Sequence, residues 1–301
     1  MKEETNISGE VISIMRYWYS RQKNNVKWAG AHSEVYGLEC GVRQGGLSSP
    51  RLFSLYMNRL IEELSNTSVG CSVDGVCINN ISYADDMVLL SPSISALQKM
   101  LHICESYAEV HGLKYNADKS EFMVFKAGTK TYLDVPPVRL YGAPLKQVQQ
   151  FKYLGHWVTD DLSDNLDIER ERRALAVRCN MLARRFARCT DKVKVTLFRA
   201  YCQSFYTCSL WVRHTQRAYG ALRVQYNDAC RVLFGLPRHC SASTMFAERQ
   251  IDGFHAVIRK RAASMMRRVR GSTNTILQTL AERWDSPILR RWIQLHTAVG
   301  K

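Results

Sequence analysis

Between Ile81 and Leu90 the chain reads ISYADDMVLL, and this stretch constrains the fold more than any other. The apolar runs Ile81–Ala84 and Met87–Leu90 both suit buried strands. Asp85 and Asp86 between them are turn formers and poor strand residues. The local expectation is a hairpin carrying two carboxylates at its tip. Like charges side by side repel unless a cation neutralises them, and hard oxygen donors suit Mg²⁺. Taken alone, the pair reads more simply as two solvated carboxylates in an ordinary turn.

Around the hairpin the pattern alternates helices with short strands. Val11, Ile14, Met15 and Trp18 recur at helical spacing. Val26–Trp28 and Ser33–Leu38 read as short strands. Ser49, with Pro50 at the first helical position, is expected to cap a long helix carrying Phe53, Tyr56, Met57, Leu60, Ile61 and Leu64. Ser91-Pro92 opens another, with Ile94, Leu97, Leu101, Cys104 and Ala108 inward, and Gly112 stops it. A strand over Glu121–Phe125 and a strand-bearing segment over Gln147–Val158 follow. Residues 1–160 therefore predict an α+β layer, with helices on one face of a mostly antiparallel sheet. From Asp161 the texture changes: Leu166–Ala187, Val193–Val212, Gln216–Phe234 and Met245–Val269 all read as helices. The expected division is a mixed domain over 1–160 and a helical one over 161–301.

Charge follows the same division. Residues 1–160 hold 16 Lys+Arg against 16 Asp+Glu, and residues 161–301 hold 26 against 11, so the whole net charge of +15 falls in the second half. Such a surface calls for a polyanionic partner, with nucleic acid first. Arg172, Arg173, Arg184 and Arg185 are its leading candidates for phosphate contact, with Arg170, Arg178 and Arg188 on the same helix. Arg259, Lys260, Arg261, Arg267, Arg268 and Arg270 form a second cluster. Asp160, Asp161, Asp164 and Asp167 are expected as loop and helix N-terminal charges that favour the helix dipole. The ten cysteines include no C-x-x-C pair, so neither zinc nor disulfides are expected, and the protein reads as intracellular, in nucleus or cytoplasm. No apolar run approaches a membrane span, and the polar start MKEETNISGE is no signal peptide.

The motifs flanking the hairpin sharpen this reading. Upstream stands GVRQGGLSSP over Gly41–Pro50; downstream come Gly112-Leu113, Asn116, Lys119-Ser120 and then Phe151-Lys152-Tyr153-Leu154-Gly155. With the Tyr83-Ala84-Asp85-Asp86 tetrad, these resemble in order and spacing the motifs of reverse transcriptases, and most closely those of non-LTR (LINE-type) retrotransposons. The resemblance is strong over residues 12–160 and weaker beyond. It implies a partial polymerase palm followed by a thumb-like helical region, and RNA-directed DNA synthesis by two-metal nucleotidyl transfer. RNA template, DNA primer and dNTP would be its partners. It implies further that Asp85 and Asp86 are catalytic Mg²⁺ ligands and that Lys119 is the general acid for pyrophosphate. By the same resemblance Arg43, Gln44, Gly45 and Tyr83 line the nucleotide and template site, and Tyr153, Leu154 and Gly155 belong to the primer grip.

One departure qualifies that picture. The family places a further metal ligand in a Phe-Asp or Tyr-Asp ahead of the Ile12–Tyr19 helix, and this chain has no Asp before Asp74. Only Glu3, Glu4 and Glu10 lie near that place. The expectation is therefore an N-terminally truncated domain with one ligand missing and no activity of its own. The alternative is a catalytically silent, reverse-transcriptase-derived nucleic-acid-binding protein.

Overall fold

A computed structural model of the chain describes residues 7–38, 41–42, 44–126, 128 and 134–297. It is a mixed helix and strand protein that divides into two compact units. The first comprises residues 1–72 and 77–114, the second residues 73–76 and 115–301. The two compact units part at Lys114/Tyr115, and the hairpin expected as a primer grip belongs to the same unit as the basic helices.

In the first unit, α1 (Gly9–Ser20) and the short strands that follow precede α2 (Ser49–Asn66), the carboxylate hairpin (Asn80–Tyr83 with Asp86–Leu89) and α3 (Ile94–Val110). The core is the inward face of two helices: Met57, Leu60 and Leu64 from α2, with Met100, Leu101, Cys104, Tyr107 and Ala108 from α3. Their spacing is the three-and-four repeat of an amphipathic helix, so the pairing was legible in sequence. The Tyr107 hydroxyl donates to the Tyr56 carbonyl at 2.5 Å and its ring stacks on His111, with centroids 3.8 Å apart. Both helix starts fall slightly later or earlier than expected. Ser48, not Ser49, precedes α2 and makes no side-chain cap, while Ser93 caps α3 through the Ala96 amide. Ser91 and Pro92 stay outside α3.

In the second unit, the hairpin Gln150–Tyr153/His156–Thr159 leads into α4 (Asn165–Arg185). Then follow α5 (Asp191–Cys202), a 3-10 turn (Cys208–Leu210), α6 (Gln216–Phe234), α7 (Ala242–Glu248), α8 (Phe254–Arg270), α9 (Thr275–Glu282) and α10 (Pro287–Thr297). Leu175, Cys179 and Leu182 of α4 pack with Leu222, Tyr226, Ala229, Cys230 and Leu233 of α6, and Phe198, Phe205, Phe246 and Phe254 close around Tyr226. Burial pushes the thiols of Cys202, Cys208 and Cys230 up to about 12, which removes them from thiolate chemistry.

Three expectations are corrected here. The helix expected over Val193–Val212 stops at Cys202, because Phe205 and Thr207 take left-handed backbone (φ 29° and 69°) so that Phe205, Cys208 and Trp211 can enter the core. The helix expected over Met245–Val269 is two helices, parted by a left-handed Gln250 that turns Ile251 inward. Among the described residues the strands pair only two by two, and Glu121–Phe122 is all of the strand expected over Glu121–Phe125. Segments of two to four residues between turns are too short to zip into a broad sheet.

Candidate functional site

The hairpin reads from its base upward. Asn79 is buried, and its Nδ2 donates to the carbonyls of Leu64 (2.6 Å) and Val69 (2.8 Å), which pins the hairpin to the end of α2. The Leu90 amide donates to the Asn79 carbonyl at 2.7 Å, and the Cys71 amide to the Leu90 carbonyl at 3.2 Å. The strands run in register from Asn80↔Leu89 to Tyr83↔Asp86, which leaves Ala84-Asp85 as a two-residue loop. Ala84 takes φ 52°, the left-handed sign that a II′-type hairpin turn needs at its first loop position. Tyr83, Asp85 and Asp86 all stand exposed at this tip.

Asp85 and Asp86 are hard oxygen donors of the kind Mg²⁺ takes. Asp85 lies in the loop and Asp86 opens the return strand. Among the described residues, no group of three or more His, Cys, Asp or Glu side chains gathers into a metal site. Two neighbouring carboxylates on one hairpin do not by themselves complete the cage of a two-metal centre. Gln44 and Gly45 occupy an exposed turn ahead of α2, where Gly45 has φ 80°. Arg43 lies outside the described residues, as do Glu3 and Glu4; Glu10 is exposed in the first turn of α1.

Lys119 belongs to the second unit, on an exposed turn where its amide donates to Asn116 Oδ1 at 3.1 Å. The Tyr153–His156 turn is in the same unit. Leu154 and Gly155 both have positive φ (46° and 84°), the signature of a I′ turn, which glycine and asparagine enter easily and leucine does not. Tyr206 fixes this turn: its hydroxyl donates to the Leu154 carbonyl at 2.9 Å, and its ring would lie 3.1 Å from any Cβ at Gly155. Because left-handed backbone costs an L-residue about 1–2 kcal/mol, Leu154→Asn is expected to raise stability by about 1 kcal/mol in urea unfolding. A loss of stability would contradict the turn geometry.

Beneath the turn sits a carboxylate whose role the sequence did not show. Asp167 is wholly buried. It accepts from the Trp157 amide (3.3 Å), Arg170 Nε (2.7 Å), Thr207 Oγ1 (2.6 Å) and Trp211 Nε1 (2.8 Å). His156 Nδ1 lies 3.1 Å from Oδ2. Burial alone would raise this carboxyl, but His156, Arg170, Thr207 and Trp211 together hold it far below the usual carboxylate range. Asp164, also buried, accepts from the amides of Val212 and Arg213 at 2.7 Å each, yet burial outweighs those bonds and raises it. Glu171, wholly buried, pairs with Arg170 at 3.1 Å and with Arg178.

Asp164 and Asp167 do stand at the N-terminus of α4, as N-cap and in the first turn, but they are buried there and fasten α4 to the hairpin and to the Thr207–Arg213 segment. The signal was present: counting back in fours from Leu175 lands on Glu171 and Asp167, the same buried stripe. The α4 arginines divide accordingly. Arg172 grips Glu169 through Nε (2.7 Å) and Nη2 (2.8 Å), and Arg173 reaches the same carboxylate at 2.8 Å, holding Glu169 down to about 2. Arg184 and Arg185 stand exposed in the last turn. No described helix is long and apolar enough to cross a membrane.

Residues 2–158 match the family model for reverse transcriptase (RNA-dependent DNA polymerase). Along 98% of its length the chain is 23% identical to the RNA-directed DNA polymerase from mobile element jockey of Drosophila funebris, covering 33% of that protein. Over 48% of its length it is 33% identical to the Pol polyprotein of the type-2 retrotransposable element R2DM of Drosophila melanogaster, covering 14% of that protein. Over 44% of its length it is 27% identical to the Pol polyprotein of a type-1 retrotransposable element R2 of Popillia japonica, covering 23% of that protein. The chain spans a third or less of each of these relatives.

Proposed function

The chain belongs to the reverse transcriptase (RNA-dependent DNA polymerase) family, of the non-LTR retrotransposon type, and on that premise we propose that it is the hairpin-bearing module of an RNA-directed DNA polymerase. The observation that carries this reading is the exposed Ala84-Asp85 turn with Tyr83 and Asp86 paired beneath it. In it Asp85 and Asp86 serve as Mg²⁺ ligands, Gln44 and Gly45 approach template and nucleotide, Lys119 donates a proton to pyrophosphate, and Tyr153, Leu154 and Gly155 hold the primer end. Arg184 and Arg185 contact phosphates without reading sequence. The setting is intracellular, in nucleus or cytoplasm.

Nucleotidyl transfer needs carboxylates from more than one strand. None precedes Asp74 as aspartate, so the polymerase reading for residues 1–301 is of an incomplete centre that holds primer and template without extending them. The expected result is no primer extension on an RNA template by this chain with dNTPs and Mg²⁺, but salt-dependent binding of the same duplex. Incorporation that disappears in Asp85→Ala would overturn the incomplete-centre reading and direct the search for the further ligand to Glu3, Glu4 and Glu10. Absence of binding would remove both the polymerase reading and its silent alternative.

A further inference from the structure

In the second half, one group of cations without a carboxylate partner gathers around stacked aromatic rings. His214, in the loop before α6, stacks flat on Tyr219, with ring centroids 4.8 Å apart and planes at 12°. Tyr219 in turn meets His255 of α8 at 6.1 Å, and both rings lean on Phe254. Arg223 stands one turn beyond Tyr219 on α6, Arg259 one turn beyond His255 on α8, and Arg291 of α10 brings Nη2 to 3.5 Å from His214 Nε2. Among the described residues, none of these three arginines has a carboxylate within ion-pair distance, whereas Arg170, Arg172, Arg178 and Lys260 each have one. His214 Nδ1 and Arg291 Nε are buried with no hydrogen-bond partner. Three cations converging on stacked rings without an anion form an arrangement that a phosphate would relieve.

We propose that His214, Tyr219, Arg223, His255, Arg259 and Arg291 form a seat for the phosphodiester backbone of a nucleic-acid strand. Guanidinium forks suit phosphate oxygens, and the exposed His255 ring offers a face on which a base can stack. The seat rests on the polymerase reading above and adds to it a binding surface on α6, α8 and α10 distinct from Arg184 and Arg185 of α4.

The groups around the two histidines give the seat a proton dependence. Burial, then Arg291, lowers His214, while the Thr215 backbone and Asp164 oppose that; burial, then Arg223 and Arg259, lowers His255. Both rings are therefore mainly neutral at neutral pH. A seated phosphate favours their protonation, so binding tightens as pH falls from neutral through and below the ordinary histidine value of 6.5.

The test is fluorescence anisotropy of the full chain with single-stranded RNA and with DNA of the same sequence, between about 50 and 200 mM salt. For the triple variant Arg223→Gln, Arg259→Gln, Arg291→Gln, the slope of log K against log salt should be shallower by about 2, three contacts at about 0.7 each. The matching triple Arg→Lys variant should keep the slope, which separates charge from folding. Equal losses on RNA and DNA support a seat for the shared backbone; a loss on RNA alone supports one that also requires the ribose hydroxyl. His255→Gln should diminish the tightening at low pH. An unchanged slope in the Gln variant overturns the seat. If only Arg184→Gln, Arg185→Gln flattens the slope, the seat falls and the polymerase reading stands. If the wild-type chain binds neither strand, both fall.

Discussion

Asp167→Ala is expected to destabilise the helical unit by about 3–5 kcal/mol, the cost of stranding a buried charge partner. The substitution removes one acceptor pair from four donors at once: the Trp157 amide, Arg170, Thr207 and Trp211. Arg170 would keep Glu171 but lose its closest carboxylate, and the Trp211 indole would be left buried without a partner. Urea unfolding followed by tryptophan fluorescence reads this directly, since Trp211 is both a donor and a reporter. A change below about 1 kcal/mol, the range of ordinary surface ion pairs, would mean that the network is not held as described. The pH dependence has a definite sign. Asp167 is depressed in the folded state, so its contribution is present above the unfolded carboxylate value near 3.8 and is lost as pH falls toward its folded value. Acid unfolding below about pH 4 should therefore be steeper in the wild type than in Asp167→Ala.

Gly70→Ala should have a comparable effect on the first unit. Gly70 sits at φ 115°, where an L side chain is strained whatever the space. A Cβ there would also fall 2.2 Å from the Asn79 Cβ and 3.1 Å from the Leu90 carbonyl oxygen. Neither neighbour can yield cheaply, because Asn79 holds the ends of α2 and the hairpin through Leu64, Val69 and Leu90. We expect a loss of at least about 3 kcal/mol, combining backbone strain with broken buried hydrogen bonds. Asn79→Ala should cost about 2 kcal/mol by orphaning the two carbonyls alone. If Gly70→Ala were as stable as the parent, the hairpin base would have to be built differently. Asp85→Ala, at the exposed tip, should leave stability within about 0.5 kcal/mol, so fold and chemistry can be separated within one hairpin.

The amino-acid sequence by itself determined the periodic parts of this protein. Apolar residues three and four apart placed α2, α3, α4 and α6, with α6 at the observed bounds Gln216–Phe234, because helix period and burial are local properties of a chain. It likewise determined a carboxylate-bearing hairpin between two apolar runs and the ordered motifs that carry the family, whereas the strand register set the loop one residue earlier than expected, at Ala84-Asp85 with Asp86 paired to Tyr83. Only the tertiary structure decided where helices break. Phe205 and Ile251 gain more from the core than their segments lose by leaving helical backbone, and that balance depends on distant partners. It also decided which charges are free. Arg172 and Arg184 look alike in the chain, but one is spent on Glu169 and the other faces solvent. Arg223, Arg259 and Arg291 are scattered in sequence, and folding alone brings them around one pair of stacked rings.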